Sequence, residues 1–130
     1  VSSMAGTAVL PGMGPYAATK AALTQFTAAL RAELRGLPVG TTVSEVGLVP
    51  TDMRDSVLGY EPTAASFRRL YRRQLLPDTP ADRLCAATVR AVRGGRRHVR
   101  LPRRAALFSM LAEAPRRMTE WTLAGVKPRP

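Results

Sequence analysis

A chain of 130 residues is long enough for one modest domain with a real core. Its formal net charge of +11, from 20 Lys+Arg against 9 Asp+Glu, fits nucleic acid, an anionic membrane surface, a phosphate-bearing ligand or an arginine-favouring surface, and composition alone does not choose among them. Cys85 is the sole cysteine, which excludes an intrachain disulfide; no zinc-ligand spacing occurs, no apolar run approaches a membrane span, and the apolar start lacks the basic n-region of a signal peptide. The expected setting is reducing, intracellular and cytoplasmic, with no metal site.

Val1 to Gly6 reads as the end of a buried strand running into a turn of small residues. Pro11, Gly12, Gly14 and Pro15 make the next stretch a loop. From Tyr16 to about Leu37, Leu23, Phe26, Leu30, Leu34 and Leu37 recur at spacings of three and four, predicting a long amphipathic helix that Gly36 and Pro38 end. Ala18, Ala22 and Ala29 leave room on it for a neighbouring helix. Thr41 to Val49 is strand-like, although Glu45 fits poorly in a buried parallel strand.

Pro62 and Thr63 start a short helix with Ala64, Phe67, Leu70 and Tyr71 on one side and Arg68, Arg69, Arg72 and Arg73 largely on the others. Thr79-Pro80-Ala81-Asp82 predicts a helix start with Thr79 as N-cap, and Gly94-Gly95 closes that helix near Arg93. Leu84, Cys85, Thr88, Val89 and Val92 form its apolar side, which makes Cys85 a small buried hydrophobe. Arg97 to Leu101 alternates like a strand at the sheet's last edge, stopped by Pro102, with His98 on the surface. In the tail, Leu107, Leu111, Ala114, Met118 and Trp121 form an apolar set interrupted by Pro115 and surrounded by Arg103, Arg104, Arg116 and Arg117. Such a helix either lies in a membrane interface or packs on the core or a partner subunit, and packing is the preferred reading.

Tyr16 and Lys20 are four residues apart, so on a helix they share one face about one turn, roughly 6 Å, apart. An ammonium beside a phenol favours the phenolate and suits the hydroxyl to proton transfer at a carbonyl or alcohol oxygen. Ser3, thirteen positions earlier, reaches the same oxygen if the loop folds back. The pattern Ser-x(12)-Tyr-x-x-x-Lys, with Gly6 after the serine pair Ser2-Ser3, resembles the active-site segment of the short-chain dehydrogenase/reductase family. Gly47-Leu48-Val49-Pro50-Thr51 resembles that family's Pro-Gly-x-Val-x-Thr loop, with Val46 where the family has proline.

The resemblance implies an α/β fold: the C-terminal half of a Rossmann-like, doubly wound parallel sheet, with the N-terminal dinucleotide-binding half missing, since no G-x-G-x-x-G turn occurs. It implies one partial domain over residues 1–130, its active-site half at 1–101 and the basic tail at 102–130. It implies an NAD- or NADP-dependent oxidoreductase that interconverts a carbonyl and an alcohol of a small molecule. In that reading Ser3 orients the substrate oxygen, Tyr16 is the general acid/base, and Lys20 supports the phenolate and holds the nicotinamide ribose. Tyr16, Lys20, Gly47, Val49 and Thr51 form the cofactor-binding set. Arg54 to Pro77 falls in the family's variable substrate loop, and the Tyr16 helix contributes to a subunit interface, so the parent is expected to be a homo-oligomer and this chain inactive alone. The alternative is a non-catalytic basic protein binding nucleic acid or an anionic membrane surface; it leaves the Ser3, Tyr16 and Lys20 spacing unexplained, and no nucleic-acid partner is expected.

Overall fold

The computed structural model describes residues 1–8, 10–104, 106–107, 109–112, 114 and 118, and for Met53 the backbone alone. Three parallel strands in the order β1-β2-β3, formed by Ser2–Ser3, Val43–Val46 and His98–Leu101, make one sheet. Ser2 and Ser3 pair with Glu45 and Val46, and Val43–Val46 pairs residue for residue with His98–Leu101. Parallel strands need helical crossovers, and four helices serve here: α1 (Gly14–Glu33), α2 (Asp52–Leu58), α3 (Glu61–Arg72) and α4 (Ala81–Arg93).

Paired residues of parallel strands share a face, so Ser2, Glu45 and Arg100 point one way and Ser3, Val46 and Leu101 the other. The first face meets α1, where the Ser2 hydroxyl donates to the Lys20 carbonyl at 2.9 Å and shares a buried 2.7 Å bond with the Thr24 hydroxyl. The second face meets α4: Ser44 and Thr88 hydroxyls bond at 3.1 Å, and Ala91 packs with Val99 and Leu101. A second apolar cluster of Met4, Ala5, Met13, Phe67 and Leu76 fills the space beyond the strands' C-terminal ends, drawing α3 toward the start of α1.

Several expectations need correction. Helix α1 buries its leucine stripe only in part: Leu23 and Phe26 are exposed, Leu30 is half-buried, Leu37 lies exposed beyond the helix end, and Thr24 is its one buried residue. Its inner face is Tyr16, Lys20, Thr24, Ala28 and Arg31, small or polar residues that let backbone approach backbone. A Cβ on Gly6 would lie 2.9 Å from the Ala21 nitrogen and 3.1 Å from the Lys20 carbonyl carbon. Gly6→Ala is therefore expected to destabilise the chain by about 1–3 kcal/mol, because rigid backbone atoms must shift. An unchanged thermal midpoint would show that the contact is not tight.

Helix α4 begins at Ala81 with Pro80, not Thr79, as N-cap; the Thr79 amide donates to the Leu48 carbonyl at 3.0 Å instead. Its inner side is Leu84, Ala87, Thr88 and Ala91, leaving Cys85, Val89 and Val92 exposed. His98 is not a surface residue, as its side chain is only 9% exposed. Its Nδ1 stands 3.2 Å from Glu45 Oε2 and 3.0 Å from Arg100 Nη2, and Arg100 Nε donates to that Glu45 oxygen at 2.6 Å. That pairing explains how an acid tolerates the centre of the sheet. Within the presumed variable loop, Asp52–Leu58 forms a helix that the spacing of apolar residues does not announce.

In the tail, Leu107 and Leu111 are exposed while Ser109 is buried against Thr7, their hydroxyls 3.3 Å apart. Pro115, Arg116, Arg117 and Trp121 lie outside the described residues. Among the described residues no helix is long and apolar enough to cross a membrane, and no three His, Cys, Asp or Glu side chains are placed to hold a metal ion.

Candidate functional site

One cavity of ≈ 420 Å³ opens at the C-terminal ends of the strands, and Ser3, Tyr16, Lys20, Gly47, Val49 and Thr51 all line it. This is where an open parallel sheet leaves a crevice between strand ends and the loops that follow them. Each residue arrives by a separate local cause. Ser3 ends β1 and caps a short 3-10 turn over Met4–Gly6, accepting the Ala5 amide at 3.1 Å. Its hydroxyl hydrogen points to the Val46 carbonyl at 3.3 Å, a long bond that a ligand oxygen could replace by a simple rotation of the O–H.

Tyr16 stands in the first turn of α1, one residue after Pro15, whose fixed φ suits a helix start. It is half-buried against the Met4–Phe67 cluster. Lys20 lies one turn on, its Nζ 5.5 Å from the centroid of the Tyr16 ring, within the range where a cation is attracted to an aromatic face. The same Nζ donates to the Val1 carbonyl at 3.4 Å. The Ser2–Thr24 and Ser2–Lys20 bonds lock α1 to β1, so the serine next to Ser3 fixes the helix that carries the phenol and the amine.

Strand β2 stops at Val46, and the Gly47 amide donates to the Leu101 carbonyl at 2.7 Å. Having Val46 in place of proline is compatible with this end: the residue stays paired with Ser3 and Leu101. Gly47 is the one position there that must lack a side chain, because a Cβ would meet Pro102 Cδ at 2.7 Å. Val49 and Thr51 continue along the rim, Thr51 as the N-cap of α2.

Most of the remaining wall is apolar, with Leu10, Met13, Val57, Leu70, Leu75 and Leu84 among its contributors. Three polar residues at the cavity, Thr7, Ser109 and Arg54, were missed from sequence. Ser109 comes from the tail, for which no motif spoke. Arg54, on α2, donates from Nη1 to Asp78 Oδ2 at 3.1 Å, and Asp78 Oδ1 accepts the Tyr71 hydroxyl. Burial first, then the hydrogen bond and negative charge of Asp78, push the Tyr71 hydroxyl up to about 12, against the lowering effect of Arg54.

Because the folded value lies above the ordinary value of 10, this group supports the fold fully below pH 10 and loses that support as pH rises toward 12. Stability of the wild type relative to Tyr71→Phe, followed by urea titration, is expected to fall across that window. A constant difference from pH 9 to pH 12 would contradict it.

Residues 1–60 match the family model described as short chain dehydrogenase. The match runs from β1 through α2 and includes Ser3, Tyr16, Lys20 and the Gly47–Thr51 loop. No curated protein and no solved structure matches the chain.

Proposed function

We propose that this chain is the active-site half of an NAD- or NADP-dependent oxidoreductase that interconverts a carbonyl and an alcohol. The observation that carries the reading is the lining of one cavity by Ser3, Tyr16 and Lys20, within the segment that matches the family. Ser3, its oxygen held by the Ala5 amide, turns its hydrogen from the Val46 carbonyl to the substrate oxygen. Tyr16 gives its proton to that oxygen in reduction and takes it back in oxidation, and the Lys20 ammonium steadies the charge left on the phenol. The apolar wall excludes water from the reacting centre.

The donor set fits the nicotinamide end of the cofactor: Lys20 and Tyr16 for the ribose, and the Gly47–Thr51 loop for the carboxamide and phosphates. When bound, the cofactor supplies the hydride chemistry. A G-x-G-x-x-G turn between a strand and a helix N-terminus, the kind that holds a pyrophosphate, is not found in the 130 residues. We accordingly propose a longer parent that carries the dinucleotide-binding half. There the exposed α1 face of Ala18, Ala22, Phe26 and Ala29 forms a subunit contact.

The chain alone is expected to bind NADH or NADPH only weakly, with Kd above roughly 1 mM by fluorescence titration. Adding the segment encoded immediately upstream is expected to bring binding into the micromolar range. Micromolar binding by the chain alone, or none by the longer polypeptide, would overturn this division of labour.

A further inference from the structure

Arg54 is a cation placed on the wall of an otherwise largely apolar cavity. Among the described residues its one hydrogen bond runs from Nη1 to Asp78, while Nε is buried with no partner. A guanidinium presents two donor pairs to a carboxylate, and with Nη1 committed the side-on pair, Nε and Nη2, is left over. A buried donor without an acceptor is costly, and more so on a charged group. Arg54 is nonetheless held in position: Asp78 grips Nη1, and Asp78 is itself gripped by the Tyr71 hydroxyl from α3. Tyr71 keeps its proton well beyond neutral pH, so this chain of bonds persists under physiological conditions.

We propose that the free edge of Arg54 binds the carboxylate of the substrate, so that the site selects oxo or hydroxy acids with an apolar body. The inference rests on the carbonyl–alcohol reading above and narrows its substrate class. The body of such a ligand meets Met13, Phe67, Leu70 and Leu76, and its reacting carbon lies by Ser3 and Tyr16. Lys20 lines the same cavity, so an incoming carboxylate meets two cations against the single acid Asp78. A phosphate of the cofactor offers the same charge to Arg54 but has no use for the apolar wall around it, which favours the organic acid.

Octanoate and 1-octanol have the same apolar body and differ in the charged head. Isothermal titration of the full chain is expected to show octanoate binding about tenfold or more tighter than 1-octanol, the value of a charge-assisted pair over a neutral one. Arg54→Gln is expected to remove that preference and leave 1-octanol affinity unchanged. Arg54→Lys, which keeps the charge but not the planar fork, is expected to retain only part of it; it also serves as the second variant if the glutamine form does not fold. Equal affinity for the two probes in the wild type overturns the proposal, as does a preference that survives Arg54→Gln. Competition between octanoate and inorganic pyrophosphate that depends on Arg54 assigns the residue to a cofactor phosphate and overturns it too. Tyr16→Phe leaves the octanoate preference intact, so loss of the redox reading and loss of this one are told apart.

Discussion

Tyr16→Phe, made in the longer polypeptide proposed above, is expected to lower kcat by about 10²–10⁴-fold, the span that general acid–base catalysis supplies. The substitution removes one oxygen and keeps the ring that packs against the Met4–Phe67 cluster, so the fold and the cavity wall survive. Cofactor affinity is expected to change by less than about threefold, because Lys20 and the Gly47–Thr51 loop remain. The loss should fall mainly in kcat, as expected for a group whose proton moves only in the transition state. Turnover near the wild-type rate would reject the role given to the phenol, whatever else lines the cavity.

The second large effect concerns the sheet. Glu45→Gln is expected to destabilise the chain by about 3–5 kcal/mol, because it leaves the buried Arg100 guanidinium facing an uncharged group. Glu45 is 2% exposed, Arg100 Nε approaches it at 2.6 Å, and His98 Nδ1 stands at 3.2 Å. For a domain whose whole stability is typically about 5–15 kcal/mol, that is a large share. At about 2 kcal/mol per molar urea, the midpoint is expected to drop by roughly 2 M. Replacing Glu45 and Arg100 together with leucine removes both charges and is expected to cost clearly less than the single change. Equal costs for the single and double variants would show that the ion pair is not the cause. The cluster also bears on the site, since the residue after Glu45 supplies the carbonyl that orients the Ser3 hydroxyl.

How far the sequence carries depends on whether the deciding contact is local. Tyr16 and Lys20 were legible because four residues on a helix fix their separation, and the turn after Ser3 was legible from its run of small residues. The Gly47–Thr51 loop was legible from its resemblance to a family motif. Periodicity in α1 marks an apolar stripe but not what covers it; the helix turned its small and polar face inward because Gly6 and Ser2 admit only a closely approaching backbone. The same ambiguity misplaced Cys85 on α4, where alanines, with less to bury, occupy the inner side. Glu45 looked out of place because its partners lie more than fifty positions away, and His98 looked exposed for the same reason. Arg54 was one arginine among many until Asp78 and Tyr71 fixed it beside the cavity. No spacing rule connects residues 54, 71 and 78.

The most direct measurement is label transfer. The longer polypeptide, charged with nicotinamide cofactor carrying deuterium at the reactive carbon, is incubated with a panel of apolar ketones and oxo acids, and the products are weighed by mass spectrometry. Deuterium is expected in an alcohol product, more readily from oxo acids, and absent from the Tyr16→Phe reaction over the same time. A folded polypeptide that holds the cofactor and passes no label to any carbonyl across the panel would contradict the assignment of Ser3, Tyr16 and Lys20.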